Sequence, residues 1–198
     1  MIITKISKAV KTEGRYNVFV DEEYSFSLDE SQLVNLELTK GQDLGEEELA
    51  KLKTVSDFGK SYIRAVDLIS RRQRSEKEIR DYAWKKQWTP EIRDRVVQRL
   101  KERRYLNDER FAESFVRSRT NNRNFSKRKM QLELIKKGIG QEIIERVLAE
   151  SEFDELESLK NLVAKKRGQY ESDQKLIQYL ARQGFRYDDI KRVLGETG

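Results

Sequence analysis

Lys127, Arg128 and Lys129 follow Ser126 without a break. Three cations in the first turn of a helix stand where the backbone macrodipole is already positive, which is unfavourable by about a few tenths of a kcal/mol per charge. An anion docked at that end reverses the sign, and helix starts bind phosphate readily. Arg117, Arg119 and Arg123 lie just upstream, and Arg71, Arg72 and Arg74 flank the matching connection earlier in the chain. These nine residues are the candidates for contact with phosphate or another polyanion. The competing explanation is a solvated charged face, but the positive charge gathers at equivalent connections rather than spreading evenly.

Other chemistry is narrowed by what is missing. The chain has no histidine and no cysteine, so triads built on either residue, thiolate zinc sites and disulfides are excluded. No Gly-rich phosphate loop of the G-x-x-x-x-G-K-[ST] type occurs. Asn107-Asp108-Glu109 has the composition of a metal cluster, but a helix cap followed by acid in the first turn explains it better. No catalytic, cofactor or metal residue is assigned. The apolar stretches are too short to cross a bilayer, and MIITKISKAVKTEG lacks the features of a secretory signal, so a cytoplasmic location is expected.

The elements that must position these cations follow two grammars. In residues 1–28, YNVFV (16–20) and YSFSL (24–28) alternate like strands around a turn at 21–23, and Ile2, Ile3 and Ile6 fit an earlier strand. Residues 29–53 read as short helices broken by TKGQDLG. From about residue 57 the period is helical. Net charge divides as −4 over residues 1–56, +7 over 57–104, +3 over 105–151 and zero over 152–198. These ranges are the expected organisation: a strand-rich extension and three helical units.

The units repeat one sentence. KKQWTPEIRDRVV (85–97), KKGIGQEIIERVL (136–148) and RQGFRYDDIKRVL (182–194) align, and the same offsets bring Ser75, Ser126 and Ser172 into register. Ile79, Met130 and Leu176 follow four residues later, then Ala83, Leu134 and Leu180. Each serine suits a helix cap, with Ser75-x-x-Glu78 spaced as a capping box. The apolar pairs make a buried stripe, and Gly138 and Gly184 suit the left-handed position that ends the helix. Gln87 stands there in the first unit, whose helix end is therefore expected to be less well defined. Thr89-Pro90 is a cap and first-turn pair. With a further helix upstream of each serine (61–72, 108–119 and 155–166), the expected fold is mainly α: three tandem three-helix repeats forming an elongated curved body, preceded by the small strand-rich region. The aromatics Phe111, Phe115, Trp84, Trp88, Tyr105 and Phe185 are expected in the core. Groove reading by the second helix of each pair is opposed by Glu142, Glu145 and Glu150, with Asp188 and Asp189 in the third unit.

RRQRSEKEIRDYAWKKQ, YLNDERFAESFVRSR, QLELIKKGI and LIQYLARQGFRYDDIKRVL, in that order, resemble the RecX family, regulators of the bacterial RecA recombinase. The resemblance covers roughly residues 60–195, and the strand-rich front resembles the N-terminal extension of longer members. Gln87 departs from the glycine usual in repeat one, and Asn124-Phe125 from the Gly or Gly-Pro common before the repeat-two helix. The resemblance implies a non-enzymatic protein, and a monomer without cofactors is expected. By the same resemblance it is expected to bind the RecA filament and the single-stranded DNA within it, with duplex DNA as a further partner and no membrane. It is expected to restrain filament growth, ATP hydrolysis, strand exchange and coprotease activity, and so to modulate DNA repair and recombination. Two other classes compete: a general DNA-binding protein acting by competition for single-stranded DNA, and a carboxylate–Mg²⁺ nuclease.

Overall fold

Alternation in the first residues yields strands. In the computed structural model, β1 (Ile3–Lys8), β2 (Arg15–Val20) and β3 (Glu23–Asp29) form an antiparallel sheet in that order. The structure describes residues 1–10, 12–122 and 125–196, without the side chains of 121, 122 and 196. Asp21 and Glu22 join β2 to β3 with φ of 49° and 69°. Two consecutive left-handed residues make the turn whose twist matches the flanking strands.

The chain divides into two compact units, residues 1–72 with 82–105, and residues 73–81 with 106–198. In the first, Ile3, Val18, Val20, Phe26, Leu28, Leu38, Leu44, Leu49 and Leu52 form the core beneath the sheet. α1 (Glu30–Asn35) starts from a capping box between Asp29 and Gln32. The expected string of short helices stops there. A single 26-residue helix, α2 (Glu46–Arg71), runs through the expected border at 56/57. Three glutamates in its first turn complement the macrodipole, and no proline interrupts it. Gly59 survives mid-helix because the space beside it is taken: a Cβ there would meet the Gln32 amide at 3.2 Å and Arg15 Nη1 at 3.3 Å. Ser56 ties α2 to β3, accepting from Ser27 N–H at 3.2 Å and donating to Ser27 O at 2.7 Å.

After α3 (Glu76–Lys85) comes α4 (Pro90–Glu102), which begins as expected, with Thr89 Oγ1 accepting from Ile92 N–H at 3.3 Å. It buries Ile92, Val96, Val97 and Leu100, and Arg95 lies 4.3 Å from the Phe58 ring on α2.

In the second unit, α5 (Asp108–Asn122), α6 (Lys127–Lys136) and α7 (Gln141–Glu150) close over Phe111, Ala112, Val116, Met130, Leu134, Ile139, Ile144, Val147 and Phe153. α8 (Glu155–Lys166), α9 (Asp173–Arg182) and α10 (Tyr187–Glu196) repeat the arrangement around Leu159, Leu162, Leu176, Leu180, Phe185, Ile190 and Val193. The described residues are therefore mainly helical, with three three-helix groups and one small sheet. All three register serines cap: Ser75 Oγ accepts from Glu78 N–H, Ser126 from Lys129 N–H and Ser172 from Lys175 N–H. Asn107 caps α5 by accepting from Arg110 N–H at 2.9 Å.

Two expectations need correction. The helix end at Gln87 is as well formed as the others. Gln87 takes φ 56°, Trp88 N–H reaches Ala83 O at 3.0 Å and Gln87 N–H reaches Trp84 O at 2.9 Å. The same pair of bonds closes α6 at Gly138 and α9 at Gly184. Secondly, Trp84 and Tyr105 are not core residues, being 79% and 53% exposed, whereas Phe111 and Phe185 are buried as expected.

Candidate polyanion-contact surface

The start of α6 is built by a joint between repeats. Ser126 is fully buried. Besides capping its own helix, its Oγ donates to Gln183 O at 2.7 Å, at the end of α9. Lys127 N–H donates to Glu155 Oε1 at 3.0 Å, at the first position of α8. Ser75 makes the same joint one repeat earlier, with Ser75 Oγ donating to Lys137 O at 2.7 Å and Glu76 N–H to Asp108 Oδ1 at 2.7 Å. An incoming repeat thus supplies one carbonyl and one carboxylate to the helix start behind it.

This changes how the candidate cations can act. The sequence pointed to the backbone N–H groups of α6 as a phosphate cradle. Glu155 and Ser126 already accept the N–H groups of Lys127 and Lys129, so a cradle of successive N–H groups is not open and an outside anion meets mainly side chains. Lys127 and Arg128 are exposed. Lys127 also borders a depression shared with Asp154, Glu155 and Asp189. Lys129 is half-buried, donates Nζ to Gln183 Oε1 and lies 5.2 Å from the Phe125 ring. Arg119 lies 4.9 and 4.7 Å from the rings of Phe115 and Phe125 and 3.6 Å from Glu133. Both are held by internal partners. Arg117 is exposed on a cleft of about 370 Å³ that also presents Glu113, Glu150 and Glu152, a mixed rather than a cationic field. Arg123 lies outside the described residues.

At the matching connection, Arg71 and Arg72 are exposed at the end of α2, and Arg71 Nη2 is 2.8 Å from Asp67 Oδ2. Arg74 is half-buried beside Ser75. Arg71 and Arg72 belong to the first unit and Arg74 to the second.

Two further residues stand on this surface that the spacing of charges does not mark. Leu132 and Ile135 are 50% and 47% exposed on α6. With Arg128 they stand at i, i+4 and i+7, so one face of α6 carries a cation and two apolar side chains while Met130 and Leu134 face the core. An apolar pair offset from the Met130–Leu134 stripe was the available signal. On α7, Glu142, Glu145 and Glu150 are exposed and Arg146 pairs with Glu109 at 2.6 Å, an acidic surface unsuited to a groove of phosphates.

Four family profiles match the chain. They are described as the regulatory protein RecX N-terminal domain (residues 1–45) and the first, second and third three-helix domains of RecX (62–100, 107–148 and 154–194). Regulatory protein RecX of Bacillus velezensis is 36% identical over 98% of this chain and 77% of its own length. Its counterpart in Listeria monocytogenes serovar 1/2a is 36% identical over 100% of this chain and 76% of its own length. A crystal structure of regulatory protein RecX superposes with a TM-score of 0.75 at 28% identity, covering 98% of both chains. The crystal structure of RecX from Lactobacillus salivarius gives 0.59 at 28% identity, over 71% of this chain and 96% of that one.

Proposed function

The chain belongs to the RecX family of regulatory proteins, and on that premise we propose that it is a non-enzymatic regulator of the RecA recombinase. It binds the recombinase–DNA filament in the cytoplasm and restrains filament growth, ATP hydrolysis, strand exchange and coprotease activity. The observation that carries this reading is the outer face of α6. Lys127 and Arg128 offer charge, and Leu132 and Ile135 offer apolar area beside it. The phosphates of bare DNA reward cations and have no use for aliphatic side chains, whereas a nucleoprotein filament presents phosphate and protein surface together, and partly apolar patches mark protein contacts.

The test is the DNA-stimulated ATPase of the cognate recombinase on single-stranded DNA, with this protein titrated in. Inhibition well below one molecule per recombinase is expected. Lys127→Glu with Arg128→Glu should raise the half-inhibiting amount at least about tenfold, the effect of losing roughly 1.4 kcal/mol of interaction. Leu132→Asp should raise it too. Lys129 is left alone because its internal contacts would confound the result. Unchanged inhibition by both variants would falsify the α6 assignment. Inhibition only when the protein coats the DNA would instead support competition for single-stranded DNA.

A further inference from the structure

The first unit holds a concavity that the α6 reading does not use. Between the sheet and α2 lies a cavity of about 590 Å³, within the range of small-ligand sites. Its charged lining is entirely cationic, consisting of Arg15, Lys60 and Arg64, with no carboxylate among the lining residues.

The three cations differ in how they are held. Arg15 is 4% exposed, with Nε donating to Ser27 Oγ at 3.2 Å and Nη2 to Ser27 O and Oγ, while Nη1 is buried without an acceptor. Burial pushes its guanidinium below the ordinary arginine value, with Asp29 opposing from beyond ion-pair distance. A buried charge answered by a neutral hydroxyl and a carbonyl leaves a positive field that an incoming anion would offset. Lys60 Nζ is 3.4 Å from Tyr24 Oη and 3.8 Å from Asp57. Arg64 is exposed, with no hydrogen bond or ion pair among the described residues. The remaining wall offers a flat ring and polar side chains. Tyr24 is 52% exposed and braced edge-on against Phe19 at 6.0 Å, with Ile63, Asn17 and Ser27 nearby.

We infer that this cavity binds a nucleotide unit of single-stranded nucleic acid, the phosphate against Lys60 and Arg64 and the base on the Tyr24 ring. A cationic wall alone would suit any anion. A braced, half-exposed aromatic face beside it selects anions that carry a planar ring, and base–aromatic stacking tolerates every base. The site lies in the first unit and does not depend on the α6 face.

Fluorescence anisotropy of a labelled oligothymidylate of roughly a dozen residues, titrated with the full chain at low salt, tests this. Wild type should bind, and Lys60→Glu with Arg64→Glu should weaken binding at least about tenfold. Tyr24→Leu should weaken it by roughly fivefold or more. These side chains are partly or fully solvent-facing, and circular dichroism checks that each variant stays folded. Lys165→Glu with Arg182→Glu makes the same change of net charge on exposed residues of the third repeat, and it should bind within a factor of about three of wild type, which separates this site from net charge. Thymidine monophosphate should compete at concentrations about tenfold below those of inorganic phosphate. Wild-type affinity in the Lys60/Arg64 variant, an equal loss in the Lys165/Arg182 variant, or no binding by wild type would overturn the site. Equal competition by phosphate and the mononucleotide would overturn its assignment to a nucleotide.

Discussion

The helix ends at Gln87 and Gly184 carry the same closing bonds, Trp88 N–H to Ala83 O at 3.0 Å against Phe185 N–H to Leu180 O at 3.3 Å. Their surroundings differ. Gln87 is exposed, whereas a Cβ at Gly184 would stand 2.4 Å from Ser126 Oγ and one at Gly138 would stand 2.6 Å from Lys77 Cβ. The glycines are therefore required less by the left-handed backbone, which Gln87 also adopts, than by the preceding repeat pressed against them. Repeat one has no preceding repeat, and its corner can carry a side chain.

That contrast can be broken most sharply at the corner itself. Gly184→Val adds left-handed strain to a collision with Ser126 and should remove roughly 3 kcal/mol or more of stability. Gln87→Val adds only the backbone strain of a branched residue, about 1 kcal/mol. Urea unfolding of the two variants measures the difference, and equal losses would mean that backbone conformation alone dictates the glycine. Next in size are the serines. Ser126→Ala loses a cap and strands the Gln183 carbonyl, about 2–3 kcal/mol in all. Ser172 is exposed and its hydroxyl caps only its own helix, so Ser172→Ala should lose about 1 kcal/mol. A Ser172→Ala loss matching that of Ser126→Ala would show that the joint adds nothing to the cap. The smallest effect is Gln87→Gly, which relieves a left-handed side chain and should raise Tm by about 2–4 °C. A fall in Tm would reveal that the glutamine side chain contributes a contact of its own.

What could be read beforehand divides along the range of the interaction. The strands, the serine caps and the Gly138 and Gly184 ends depend on neighbours a few residues away, so pattern and residue type announce them. The continuity of α2 was hidden because the charge balance shifts near residue 56 while the backbone has no reason to stop, and Gly59 looks like a breaker until Arg15 and Gln32 are seen filling its flank. Trp84 is exposed although its type argues for burial, since helical spacing marks a face without saying what meets it. The basic candidates suffered most. Spacing identified Lys127, Arg128 and Lys129 as a group, but Lys129 is claimed by Gln183 and Phe125, and Arg119 by Phe115, Phe125 and Glu133. The Gln183 contact reaches across 54 residues, and no local pattern encodes it. The buried Arg15 and its cavity were equally silent.

The serine joint also bears on how such a chain can change length over generations. A joint made from one hydroxyl, one main-chain carbonyl and one carboxylate at a helix start is independent of the apolar residues filling each three-helix group. A duplicated segment spliced in at Ser75 or Ser126 would inherit its connectors ready-made, while its interior could drift freely. Gln87 marks the end at which that inheritance stops, because a corner bearing a side chain cannot be seated against another serine unless glycine replaces it.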